Sequence, residues 1–214
     1  MKASIIKKSL VCALTAALVM APVMGVSAST DTNSGNSTVV EATGAATVAQ
    51  AVSEIATTSS VNGVKSTVSG AFFVKGVNGV AFTTPLADIT AGYGIGSGER
   101  AYAKVWDLDA KKSYLAKQVI DTAAASIGAE VGPGLNIELG KLAGGKYSLL
   151  SADGPTVRIS VGIPKKFAQD GKTYAVVRVR PGGAVSILAD VDDNPNTVTF
   201  DTTAGAGAYA IVRY

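Results

Sequence analysis

Residues 171–214 read GKTYAVVRVRPGGAVSILADVDDNPNTVTFDTTAGAGAYAIVRY. Three runs rich in Val, Ile, Tyr and Phe occur there, at 173–180, 184–189 and 197–201, and a fourth at 209–214. Pro181-Gly182-Gly183 separates the first two and Asp192-Asp193-Asn194-Pro195-Asn196 the next. β-branched and aromatic runs bounded by such turn formers are the signature of short strands joined edge to edge. The stretch predicts an antiparallel β meander.

Upstream the same grammar continues. Val157, Ile159, Val161 and Ile163 alternate without a break, as a half-buried strand requires. Leu135, Ile137 and Leu139 alternate with Asn136 and Glu138, and 146–150 makes a further short run after Gly144-Gly145. Val131-Gly132-Pro133-Gly134 reads as a separator before them. Residues 100–108 (RAYAKVWDL) form an alternating strand that carries the chain's single Trp, Trp106. Between these lies the best helical pattern, 111–127, with Leu115, Val119, Ala123 and Ile127 on one face and Gly128 at its end. Val-Asn-Gly-Val occurs twice, at 61–64 and 77–80. Asn-Gly suits a type I′ turn, so Asn78-Gly79 is expected to join strands 70–75 and 80–84, with residues 85–90 turning away. The expected fold is all-β: an Ig-like antiparallel β-sandwich over 61–214 with one short helix.

The N-terminal part reads differently. Lys2, Lys7 and Lys8 precede an apolar run over 10–26, and Val26-Ser27-Ala28 offers a small-residue cleavage site before Ser29. Residues 1–28 are therefore expected to be a secretory signal peptide. The run is short for a membrane span and is broken by Pro22 and Gly25. Residues 29–60, dominated by Ser, Thr, Ala, Asn and Gly, read as a disordered linker. Within it Val48, Val52 and Ile55 share one face of a short helical pattern. Secretion, or residence at the cell surface, is the expected localisation.

Removing that segment changes the charge. Three of the 19 basic residues lie in it, which leaves 16 against 16 acidic ones. A formally neutral chain has no general attraction for nucleic acid or for an anionic membrane. Cys12 is the one Cys and lies in the same segment, and the chain has no His. Thiol nucleophiles, Ser-His relays and metal sites built on Cys or His are thereby excluded from the remainder.

Several patterns invite chemistry. Gly92, Gly94, Gly96 and Gly98 alternate as in a phosphate loop, but a strand and not a helix follows them, so nucleotide binding is not expected. Asp107 and Asp109 stand two apart at a strand end, whereas a glycosidase needs two carboxyl groups facing each other across a cleft. Asp109 is better read as a helix N-cap. Lys104, Asn136 and Glu138 supply the residue types of an isopeptide crosslink, but alternation puts Asn136 and Glu138 on the wet face. Asp190, Asp192 and Asp193 are the candidate Ca²⁺ ligands, since hard oxygen donors in a loop suit that ion. An ordinary polar turn is the favoured alternative, because Asp and Asn are turn formers themselves. Trp106, Tyr93, Tyr102 and Tyr114 cluster in sequence and would serve carbohydrate binding if exposed, although a lone strand Trp is more often core.

The pieces in order also carry a resemblance. Glu99-Arg100 leads a strand and a helix follows near 117–127. Leu135-Asn136-Ile137-Glu138-Leu139 comes next with Gly145, and then Val157-Arg158-Ile159-Ser160-Val161 with Ile163-Pro164. Gly171-Lys172-Thr173-Tyr174, Val177-Arg178-Val179, Gly183, Leu188, Val198-Thr199-Phe200 and Tyr209-Ala210-Ile211-Val212-Arg213-Tyr214 complete the series. Over about 115 residues, an ordinary domain size, this resembles the C-terminal Ig-like β-sandwich domain of secreted and cell-surface proteins of Firmicutes. The resemblance implies a structural or accessory module without catalytic residues. Members end in Phe-Ser-Thr-Tyr-Ala-(Ile/Leu)-x-Tyr, and here Ala206-Gly207-Ala208 replaces the first three. The core aromatic lost there is then expected to be made good by another side chain, with Phe200 the candidate, or else the end strand is looser.

The expected function is a non-enzymatic structural or binding module whose partner is an extracellular protein or glycan. The alternative is a carbohydrate-active protein that binds or hydrolyses glycans through aromatic or acidic loop residues.

Overall fold

The computed structural model describes residues 59–214. The expected signal segment, the cleavage point at Ser29 and nearly all of the linker lie outside them. Twelve strands and two helices follow in order. They are β1 (Ser60–Val61), β2 (Val64–Lys65), β3 (Ser69–Phe73), β4 (Val80–Phe82), α1 (Leu86–Gly92) and β5 (Glu99–Asp107). Then come α2 (Tyr114–Ser126), β6 (Glu130–Ala143), β7 (Lys146–Leu149), β8 (Thr156–Gly162), β9 (Tyr174–Val179), β10 (Val185–Ala189), β11 (Thr197–Thr203) and β12 (Gly205–Arg213).

The strands form a sandwich-like arrangement. One sheet has seven strands, ordered β10-β9-β12-β6-β5-β3, with β7 on β6 beyond the end of β12. A second has three, β11-β8-β4, and β1 and β2 form a two-stranded ribbon of their own. Inward residues of the two larger sheets make one core: Ala103 and Val105 of β5, Leu135 and Ile137 of β6, Ile159 and Val161 of β8, and Phe200 of β11 are all buried. The alternations read at 135–139 and 157–163 both turn their apolar members to this core.

Several local expectations change. The first Val-Asn-Gly-Val makes the I′-type hairpin between β1 and β2, with Asn62 at φ 47° and Gly63 at φ 83°. The second copy does not join two paired strands. β3 lies in the large sheet and β4 in the small one, and Asn78-Gly79 docks on the end of β8. There Asn78 N donates to Gly162 O and Gly162 N to Gly79 O, both at 3.0 Å. Gly79 is required because a Cβ would sit 2.0 Å from Ser60 O. The chain returns through β4 and α1 to the edge of β5, so β3 and β5 run parallel and every other pair is antiparallel.

Residues 85–90 hold a second helix, α1. Seven residues give too few turns for a periodic signal, and the helix persists because Ile89 is buried in the core. Residues 131–134 are strand and not separator. Opposite β12 the register of β6 slips by one between Ala210 and Val212, which is where Pro133 falls. A bulge is a place that tolerates a residue without an N–H.

Helix α2 begins three residues later than expected and its buried residues are Ile120 and Ala124. Leu115 is 74% exposed and Ile127 38%, so the expected face is one position out of phase. Residues 119 and 123 are only its flank. The helix packs on the outer face of the large sheet, over Ala175, Val177, Val179, Ala208 and Ala210. Ala206 and Ala208 pair with Glu138 and Asn136 on that same outer face. Position 206 therefore never pointed into the core, and small residues there let the helix approach. Phe200, fully buried, packs on Tyr209 with ring centroids 5.7 Å apart.

Candidate functional site

Helix α2 covers the outer face over β9, β12 and the start of β6 and reaches β10, but leaves the β3–β5 side open. Strand alternation decides what that side shows. With Ala101, Ala103 and Val105 turned to the core, Tyr102, Lys104 and Trp106 of β5 point outward. From β6 come Asn136 and Glu138, and from the parallel neighbour β3 comes Phe73. Register sets Trp106 beside Phe73 on one side and Asn136 on the other. Trp106 is 37% exposed and Phe73 48%. The expected core placement of Trp106 is thus corrected: its strand parity is that of Lys104, opposite to that of Val105.

A cleft of about 770 Å³ opens next to Trp106, lined by Phe73, Asn136, Asp107, Asp109, Lys111 and Ser113 among others. On the far side of Trp106 a smaller recess of about 240 Å³ is shared with Asn136, Glu138, Ala116 and Pro181. The indole stands between the two.

The two carboxylates of the cleft are engaged by backbone. Asp107 accepts from Lys75 N (2.9 Å to Oδ2) and from Gly76 N (2.9 Å to Oδ1), which ties the chain leaving β3 to the end of β5. Asp109 accepts from Lys111 N at 2.8 Å and Lys112 N at 3.1 Å, which hold its carboxyl below the usual range, the Lys112 bond foremost. It caps the turn before α2; the helix proper has Ser113 at its N-cap position.

Toward the other end of β5 the face is filled. Tyr147 of β7 lies across Gly140, where a Cβ would come within 2.6 Å of the ring. Its ring meets Tyr102 edge-on at 6.2 Å, and Lys104 Nζ sits 3.8 Å above it. Burial, and next the Glu138 carboxylate, raise the Tyr147 hydroxyl above its ordinary value. The three isopeptide candidates share this face, Lys104 opposite Glu138 in register and diagonal to Asn136, but the Lys104 ammonium is directed over the Tyr147 ring.

The other aromatic candidates separate. Tyr93 is structural: its hydroxyl donates to Pro155 O at 2.6 Å and accepts from Ala204 N at 2.9 Å. Tyr114, 58% exposed, opens α2. The loop over Gly94, Gly96 and Gly98 runs into β5, with Gly96 N donating to Glu99 Oε2 at 3.0 Å.

Asp190, Asp192 and Asp193 line a separate cleft of about 560 Å³ between their loop and residues 168–174. Asp190 Oδ1 accepts from Thr199 N at 2.9 Å, Asp192 Oδ1 from Asn194 N at 2.9 Å, and Asn194 Oδ1 from Asn196 N at 3.0 Å. These side chains serially cap their own turn. Among the described residues, no three His, Cys, Asp or Glu side chains are grouped to hold a metal ion. Burial raises the Asp190 carboxyl above its usual value against the pull of the Thr199 amide.

No sequence pattern singles out Phe73 or Tyr147. Phe73 reaches Trp106 only through the parallel pairing of strands 33 residues apart, and nothing local announces that. Comparison with protein-family models, with curated proteins and with solved structures finds no match to this chain.

Proposed function

We propose that the protein is a non-enzymatic extracellular binding module whose ligand is a glycan laid across the outer face of β3, β5 and β6. The observation that carries this reading is Trp106, exposed beside Phe73 and flanked by Asn136 and the polar wall of the cleft. A sugar ring has an apolar C–H face and a rim of hydroxyls. Flat aromatic surface bordered by amide and carboxylate groups matches both. A wholly apolar partner would leave those polar groups unpaired.

The non-enzymatic part is supported by how the carboxylates are used. Asp107 and Asp109 each accept from two backbone amides, so both carboxylates are engaged in holding the chain, whereas hydrolysis of a glycoside needs a pair free to act on the substrate. The extracellular part is supported by the signal-like residues 1–28 and by the resemblance to Ig-like surface domains.

The chain has one Trp, so its fluorescence reports this face alone. Titration with peptidoglycan fragments and with plant and microbial polysaccharides should shift or quench the emission. Trp106→Ala should weaken binding, measured by calorimetry, by about 30-fold, the loss of one interface anchor of about 2 kcal/mol, while the melting temperature holds. Binding that survives Trp106→Ala, or silence across a glycan array, refutes the reading. Release of reducing sugar would make the protein an enzyme.

A further inference from the structure

We propose that the chain forms a two-fold homodimer by antiparallel pairing of strand β10 with β10 of a second copy. Strand β10 ends the large sheet, and among the described residues its only ladder partner is β9. Arg180 N donates to Ala184 O at 2.9 Å, and this sets the alternation of the ladder. Ala184, Ser186 and Leu188 exchange bonds with β9, so Val185, Ile187 and Ala189 turn their N–H and C=O groups to the free edge. The edge closes only at Val191, whose N–H crosses to Thr199 O at 2.8 Å.

Natural proteins blunt such edges with Lys, Pro, a bulge or a covering element. The sequence of β10 is VSILA, without charge or proline, and its register with β9 is unbroken. Val185 and Ile187 are 43% and 45% exposed, on the face that α2 shares. Val185 lines an open groove with Val119 and Ala123 of that helix, whose rim is polar (Gln118, Asp121, Thr122 and Ser126).

The free edge is self-complementary, which points to a second copy as its occupant. With the two-fold axis through Ile187, that residue faces the partner's Ile187, and Val185 faces the partner's Ala189. Each of these is an outward-bonding position, so about six backbone hydrogen bonds form together. No charged side chain lies within β10 itself. The axis stands perpendicular to the sheet, so the two seven-stranded sheets join into one. Both Trp106 faces then lie on the same side, and a polymeric ligand would be gripped at two points, with the gain in avidity that brings.

The test uses the full chain carrying Cys12→Ser, so that any introduced thiol is the only one. Light scattering after size exclusion should give twice the chain mass, and Ile187→Lys should halve it. Ile187→Cys should oxidise to a covalent dimer at least about tenfold faster than Val185→Cys, because directly opposed Cα atoms in such a pair lie about 5.5 Å apart, within disulfide range. Val185→Cys combined with Ala189→Cys should restore fast crosslinking. A single-chain mass for the parent protein, dimeric Ile187→Lys, or equal crosslinking by Val185→Cys and Ile187→Cys each overturns the proposal. None of these outcomes depends on glycan binding.

Discussion

Asp107→Ala tests whether the carboxylate in the cleft is a clasp. It removes the acceptor of two backbone amides, Lys75 N and Gly76 N, each 2.9 Å from a carboxylate oxygen. Hydrogen bonds to a charged group are worth about 1.5–3 kcal/mol when the donor is stranded. Here both amides are at the surface and regain water, so about 1–2 kcal/mol for the pair is the expected loss. For a domain of this size that corresponds to a fall of about 2–8 °C in melting temperature. Asp107→Asn should lose less than half as much, since Oδ1 alone lies within 3.2 Å of Lys75 N and 2.9 Å of Gly76 N. Thermal unfolding followed by fluorescence reads both, and Trp106, the adjacent residue, should also show a shifted native emission as β3 loosens. Wild-type melting for both variants would refute the clasp. Wild-type melting with loss of a hydrolytic activity would make Asp107 catalytic.

Phe200→Ala should be the more damaging change: with the ring 0% exposed, the cavity costs about 3–5 kcal/mol, a drop of about 6–20 °C in the same melt, and a drop of a degree or two would show the core closing over it. Asp190 should make stability rise as pH falls. Its folded value is raised by burial, so the native state pays for the charge at neutral pH, and the penalty is relieved as pH drops through the folded value toward the unfolded one. Asp190→Asn should remove that slope in urea titrations between pH 7 and the carboxylate range, and an unchanged slope would count against the burial argument. The same loop caps itself, so calcium and chelator are expected to give one melting curve; a calcium-dependent rise abolished by Asp192→Asn and Asp193→Asn would restore the metal reading.

The strands were legible because their cause is local. Alternation at 157–163 and at 135–139 follows from one face meeting a core and the other not, and turn formers such as Gly144-Gly145 mark where the chain must reverse. The C-terminus of α2 was legible for the same reason: Gly128 takes φ 68°, which a glycine adopts at no cost. Asn62-Gly63 and Asn78-Gly79 show the limit. Both carry the same dipeptide, yet one makes a hairpin and the other docks on β8, because the role of each turn is decided by the sheet that the next strand joins. In β5 the alternation fixes that Tyr102, Lys104 and Trp106 share one face, but which face meets the core was not legible, because Ala101, Ala103 and Val105 on the other are small and apolar while Tyr102 and Trp106 are large and apolar too. Whether an outward residue is then covered depends on elements distant in the chain. Helix α2 spreads over Val177 and Ala208 and stops short of Trp106, while β3 arrives from 33 residues away to set Phe73 beside it. Periodicity fixes which residues share a face because backbone geometry repeats every few residues; the candidate site belongs to tertiary structure because it is made of the surface that packing leaves uncovered.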